Sequence, residues 1–213
     1  MKRFAVAAVV GFVFALAAGS AQALPVSSAS VGNARGCVNQ ACTNQTFTWG
    51  SNAGGGTGTL DIVGNNLSFS ITLASTTLVS IGASDNGVTQ IDFTSTTYTG
   101  GATLMPLGGG FYSILSGSAS ISGTQTPTGA GAAGPFAAAD ALLSGSCQDT
   151  GASISCGIVF GAANDFNFLV NGQTRHFTHT MNVTAVPEPA TAALVGAGLL
   201  GLGIAGSRSG RRD

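Results

Sequence analysis

The chain has 213 residues and a formal net charge of −1, and only 7% of its residues are charged, against about 25% in an ordinary soluble domain. Between Leu24 and Val186 stand two basic residues, Arg35 and Arg175, and six acids, Asp61, Asp85, Asp92, Asp140, Asp149 and Asp165, with no Lys and no Glu. Nucleic-acid binding needs clustered Lys and Arg to displace counterions from phosphates, so this composition excludes that class. The other basic residues, Lys2, Arg3, Arg208, Arg211 and Arg212, border two apolar runs, which is the pattern of membrane-topology signals.

The first apolar run follows Lys2 and Arg3 and covers residues 4–18. Fifteen residues fall short of the roughly 20 that a bilayer-spanning helix takes. Small residues follow, with Ala21 and Ala23 in an A-x-A arrangement. A positive start, a short greasy core and a small-residue exit predict a signal peptide over residues 1–23, cut after Ala23 by signal peptidase.

Residues 24–186 are then expected to form one exported β-rich domain. Apolar and Ser/Thr residues alternate with period two, as in Leu67, Phe69, Ile71 and Leu73 between Ser68, Ser70 and Thr72. Further strands are predicted at 45–49, 57–63, 88–98, 111–121 and 154–160. Residues 165–184 read as a hairpin turning on Asn171-Gly172, both of which tolerate the positive φ of a type I′ turn. The Gly-rich stretches 54–56, 108–110 and 123–134 read as loops. Residues 137–143 (AAADALL) are the one place for a short helical turn. The fold expected is all-β, an antiparallel β-sandwich or jelly-roll-like domain.

Four cysteines fall in this segment, Cys37, Cys42, Cys147 and Cys156, an even count that suggests disulfides in an exported domain. Three pairings are possible, and spacing favours Cys37 with Cys42 and Cys147 with Cys156. A zinc site would want C-x-x-C spacing or nearby His, which C-x4-C and C-x8-C do not supply. No metal and no cofactor is expected.

Candidate chemistry is thin. His176 and His179, three apart on a strand, point to opposite faces and cannot easily share a metal, with His179 on the face of Phe177 and Met181. A Ser–His–Asp hydrolase is formally open, yet no G-x-S-x-G elbow is present. Asp85, Asp149 and Asp165 could join a calcium site only if they converge in space, and Asp85-Asn86-Gly87 reads more simply as a turn. Trp49, Tyr98 and Tyr112 are the aromatics that could carry a sugar platform, with Trp49 expected in or near the core. Asn44, Asn66 and Asn182 match the N-glycosylation pattern, a motif short enough to arise by chance.

The second apolar run, residues 190–206, holds no charge over 17 positions, about the lower limit for a membrane span. Arg208, Arg211 and Arg212 follow it and favour a cytoplasmic end. Before it stands Val186-Pro187-Glu188-Pro189, a stiff extended segment that no strand or helix can continue through. This tail, residues 187–213, resembles the PEP-CTERM sorting signal of Gram-negative bacteria in its Pro-Glu-Pro motif, its short apolar helix and its Arg-rich end. The basic cluster is slightly diluted by Ser209 and Gly210. The resemblance implies that Pro187, Glu188 and Pro189 are the recognition element for an exosortase, and that the product reaches the cell surface, often with exopolysaccharide. It covers the tail alone and says nothing of the central domain.

The function expected is therefore a non-enzymatic cell-surface or matrix protein whose uncharged Ser/Thr/Asn/Gly-rich surface meets polysaccharide. A jelly-roll carbohydrate-binding module and a secreted hydrolase are the alternatives. An exposed row of Trp and Tyr rings would mark the first of these, and a pocket joining a His to an acid and a Ser the second.

Overall fold

The computed structural model describes residues 23–39, 41–161 and 167–187, together with Gly196 and Gly198. Ala21, Asp165 and the tail residues Glu188, Pro189, Arg208, Arg211 and Arg212 lie outside the described residues, as do the signal segment 1–22 and nearly all of the run 190–206. Among the described residues no helix is long and apolar enough to cross a membrane.

The described chain forms the strands β1 (Leu24–Cys37), β2 (Gln45–Val63), β3 (Asn66–Ser80), β4 (Val88–Gly108), β5 (Phe111–Gly129), β6 (Gly134–Asp149), β7 (Ile154–Phe160), β8 (Asn167–Val170) and β9 (Gln173–Ala185). The alternation that predicts them also sets their faces. In the first half of β3 the buried residues are Leu67, Phe69, Ile71 and Leu73, with Ser68 and Ser70 exposed between them. The tight turns are where the sequence puts residues that accept positive φ. Asn171 and Gly172 (φ 47° and 80°) join β8 to β9, and Asn86 and Gly87 (φ 48° and 82°) turn the chain before β4. Gly109 and Gly110 (φ 62° and 78°) make the β4–β5 turn, where a side chain at Gly110 would collide with the Asp149 carbonyl.

Each strand from β1 to β6 pairs antiparallel with the next, and β9 returns to pair with β1, as in Val31 with Met181. The other edge of β9 is taken first by β7, with Ile158 opposite Met181, and then by β8, with Phe168 opposite Arg175. β7 and β8 thus share one position, and the sheet closes into an eight-position up-and-down barrel. Among the described residues the ladder is continuous around the tail-side end, while at the other end residues 134–142 of β6 have no strand partner on the side facing β8.

The all-β, antiparallel expectation holds. The sandwich or jelly roll does not: a single sheet, with β1 to β7 in chain order and β9 pairing back to β1, replaces two sheets. Period and turn spacing report strands and turns, but not whether the first and last strands meet, which depends on tilt and stagger. The strands are also longer than expected, because residues 54–56 run inside β2 and β5 continues to Gly129. Residues 137–143 lie in β6 instead of a helical turn. Ala137 pairs with Ser122, and Leu143 with Phe160, so two neighbouring strands outweigh the local preference of an Ala-rich stretch.

Aromatic rings fill the interior. The Phe93 centroid lies 5.2 Å from Phe136, 5.6 Å from Phe168 and 5.4 Å from Phe177. Deeper toward the tail, Phe160 stacks on His179 at 4.7 Å and meets Tyr98 at 5.1 Å. Glycine makes room for these rings at inward positions: a Cβ on Gly36 would sit 2.8 Å from the Phe168 ring and 3.0 Å from Phe47 Cβ. Trp49, expected in or near the core, is 43% exposed. It lies where β1 parts from β2, between the pairs Arg35–Thr48 and Pro25–Thr59, so no β1 neighbour covers it.

The inward faces are apolar and the outward faces are rich in Ser and Thr, the reverse of a lipid-facing barrel, which is apolar outside and polar within.

Candidate functional site

Because apolar residues take the inward positions, Ser and Thr are left on the outside, and the barrel register lines them up. Thr57, Thr72, Thr97 and Ser122 form one row across β2 to β5, and Thr59, Ser70, Thr99 and Ser120 form the next. Neighbours in a row are about 4.8 Å apart, and successive rows about 7 Å. Thr72 Oγ1 and Thr97 Oγ1 lie 3.0 Å apart and share a hydrogen bond. The pattern recurs on the other side, where Gln148, Ser155, Thr184 and Ser28 make a row over β6, β7, β9 and β1. There Ser155 Oγ and Thr184 Oγ1 are 3.2 Å apart.

Two shallow grooves open where a row has glycine instead of a hydroxyl. In the first, Gly101 stands between Ser68 and Ser118, and Asn66, Thr103, Ser116 and Ser118 line a depression of about 410 Å³. In the second, Gly157 stands between Ser146 and Asn182, and the walls are Gln148, Ser155 and Thr184, with the Phe111 ring at one edge; its volume is about 320 Å³. A Cβ added to Gly157 would meet only Asn182 Oδ1, at 3.6 Å. No charged side chain lines either groove. Hydroxyls and amides both donate and accept hydrogen bonds without carrying charge, which is the complement of a neutral sugar's hydroxyls. The same groups do not ionise near neutral pH.

The residues singled out by sequence are scattered over this frame. His179 is buried among Phe160, Phe177 and Tyr98, and burial lowers its pKa to about 3, so it stays neutral. His176 is half-buried on the opposite face of β9, paired with Cys37. Tyr98 is 1% exposed, and burial pushes its phenol well above the usual range. Tyr112 is half-buried and Trp49 lies elsewhere on the barrel, so the three aromatics form no shared platform. Asn44, Asn66 and Asn182 are exposed. Asp85 and Asp149 sit at opposite ends of the barrel, and among the described residues no cluster of three His, Cys, Asp or Glu side chains could hold a metal.

Both local disulfides are formed. Cys37–Cys42 closes the connection from β1 to β2, and Cys147–Cys156 joins directly opposed residues of β6 and β7, both facing inward. Sequence reasoning missed one buried pair. Arg175 donates from Nε and from Nη2 to the two oxygens of Asp85, each at 2.7 Å, bridging 90 residues of chain. The Arg175 hydrogen bond holds the Asp85 carboxyl below the usual range, against the opposing effect of burial. A signal was present: Arg175 shares strand parity with Phe177 and His179, which places it inside.

The domain's two ends lie side by side. Val26 of β1 pairs with Ala185 of β9, and Val186 N–H donates to the Pro25 carbonyl at 3.1 Å. Anything carried beyond Pro187 therefore leaves the barrel from the end at which the chain enters it. No curated protein and no solved structure matches the chain. A family of protein-sorting motifs, PEP-CTERM, matches residues 185–212, beginning at the last residue of β9. The tail is thus a PEP-CTERM sorting motif, which implies an exported, envelope-associated protein processed by an exosortase.

Proposed function

We propose that the barrel is the working part of a non-enzymatic surface protein that holds neutral exopolysaccharide in its outer hydroxyl grooves once the tail has delivered it. The observation that carries this reading is the register of Ser and Thr rows over glycine floors, with no ionised group in either groove. Charged grooves would favour acidic glycans or phosphates, and a buried catalytic pocket would need a His within reach of an acid and a hydroxyl. His179 instead sits neutral among rings.

Delivery divides the chain as the sequence suggests. Signal peptidase removes residues 1–23. The run 190–206 spans the inner membrane with Arg208, Arg211 and Arg212 in the cytoplasm, and the exosortase acts at Pro187-Glu188-Pro189. The domain of residues 24–186 is then left on the outer side.

Affinity electrophoresis through gels containing the host's neutral exopolysaccharide tests the binding reading. The unaltered chain should be retarded, and Gly157→Val, which fills one groove where an added Cβ meets a single atom at 3.6 Å, should bind about tenfold less tightly, a change of about 1.4 kcal/mol. Equal mobility of the unaltered chain with and without polysaccharide overturns the proposal. A steady release of reducing ends from the polymer would identify a hydrolase instead.

A further inference from the structure

The end of the barrel from which the tail departs carries exposed apolar side chains that the fold does not use. The β4–β5 hairpin projects past the β2–β3 turn: Leu104 N–H already bonds to the Asn65 carbonyl, and residues 105–111 extend beyond it. On that projection Met105 is 41% exposed, Leu107 61% and Phe111 50%, and on the neighbouring hairpin Val63 is 51% exposed. The projection is next to the tail. Phe111 pairs with Gln148, Gln148 with Ser155, and Ser155 with Thr184, so three strand steps along one row lead from the hairpin tip to within two residues of Val186.

We propose that in the uncut chain this rim rests in the interfacial layer of the membrane, with Leu107 and its neighbours in contact with lipid, so that Pro187-Glu188-Pro189 is held at the bilayer surface. The inference rests on the reading of residues 190–206 as a membrane span. The argument from length is direct: Ala190 is five residues on from Ala185, the last residue of β9, which allows at most about 17 Å between the barrel and the start of the apolar run. A rim held that close to lipid either meets it or must be kept off it, and this rim presents Leu, Met, Val and Phe. Charge also selects the lipid. Arg35 and Arg175 lie toward the opposite end, paired with Thr48 and Phe168, while Asp149 lies at this one. Contact is therefore by apolar partition into a zwitterionic surface, not by attraction to anionic headgroups.

The test uses the full uncut chain, reconstituted into phosphatidylcholine vesicles whose acyl chains carry bromine, which quenches nearby Trp emission. Three versions each hold one Trp: the native chain with Trp49, Trp49→Phe/Leu107→Trp, and Trp49→Phe/Leu199→Trp. Trp49 is 14 residues along β2 from Val63, about 45 Å of strand, and reports the far side of the barrel. The reporters at 107 and 199 should lose most of their emission and shift to the blue, equally in low and high salt, while Trp49 stays unquenched. Quenching at 199 with none at 107 overturns the rim proposal and leaves the membrane span standing. No quenching at either overturns the span and the rim together. Should the variant at 107 lose the native near-UV circular dichroism, Val63→Trp on the adjacent hairpin takes its place, and its quenching decides between rim and span in the same way.

Discussion

The two ends of this barrel are built on different principles. At the end away from the tail, polar side chains tie one connection to another. The Asp85 carboxylate receives the Arg175 fork, Asn86 Nδ2 donates to Gln173 Oε1 at 2.7 Å, and Asn171 Nδ2 donates to the Asn86 carbonyl at 3.3 Å. These bonds join the turn before β4 to the β8–β9 turn, and the Cys37–Cys42 bridge secures the neighbouring loop. At the tail-side end the ties between connections are backbone bonds, Leu104 N–H to the Asn65 carbonyl and Asp149 N–H to the Gly110 carbonyl, each at 2.8 Å, and the side chains of Leu107 and Phe111 project into solvent. The contrast teaches that the long-range side-chain ties between connections are concentrated at the end away from the tail.

The largest effect should come from breaking the polar end. Arg175 and Asp85 are 6% and 11% exposed at their side chains, so removing one partner strands a buried charge. Arg175→Ala should cost about 3 kcal/mol in urea unfolding, and replacing both residues with Met and Asn should recover much of that loss. A cost for Arg175→Ala below about 1 kcal/mol would erase the difference between the ends.

Acid should act on the two interior titrating groups in separate windows. His179 has its folded pKa lowered to about 3 by burial, against about 6.5 in an unfolded chain. The unfolded state therefore takes up a proton first as pH falls. The stability tied to neutral His179 is complete above about pH 6.5 and is lost toward pH 3, at up to about 1.4 kcal/mol per pH unit. Asp85, whose folded pKa is lowered chiefly by its Arg175 hydrogen bond, contributes stability that is present above the ordinary carboxylate range and lost only as pH falls below it. In His179→Phe the decline between pH 6 and 4 should flatten and the lower drop should remain. An unchanged slope in that variant, followed by urea midpoints across the range, would show that the ring cluster does not exclude the imidazolium.

Much of this was legible in the chain itself. The alternation around Phe69 and Ile71, the Asn171-Gly172 turn and the local cysteine spacings each reflect short-range physics, and each predicted its element. The sorting tail was equally legible, because Pro-Glu-Pro, an apolar run and terminal Arg are contiguous. What escaped were the relations between distant residues. Closure of β1 on β9 joins residues as far apart in the chain as Val31 and Met181, and nothing local distinguishes a first strand that meets the last from one that does not. The hydroxyl rows escaped for the same reason: each strand shows its own Ser and Thr, but Thr59, Ser70, Thr99 and Ser120 become neighbours only through register. Trp49 was misplaced because its exposure depends on where β1 leaves β2.

The smallest predicted effect bears on the other end. Leu107 is 61% exposed beside a glycine turn, so Leu107→Ser removes an apolar group that the interior does not use. Its cost to unfolding should stay within about 0.5 kcal/mol, the range of ordinary surface changes. That small number separates two explanations of an apolar hairpin tip. If Leu107 and its neighbours hold the hairpin together by packing on one another, the Ser variant should unfold well before the parent, at a cost of about 2 kcal/mol or more, and the rim would serve the fold. If stability is untouched, the apolar character has no structural duty at this tip, and its position beside the departing tail becomes the reason for its presence.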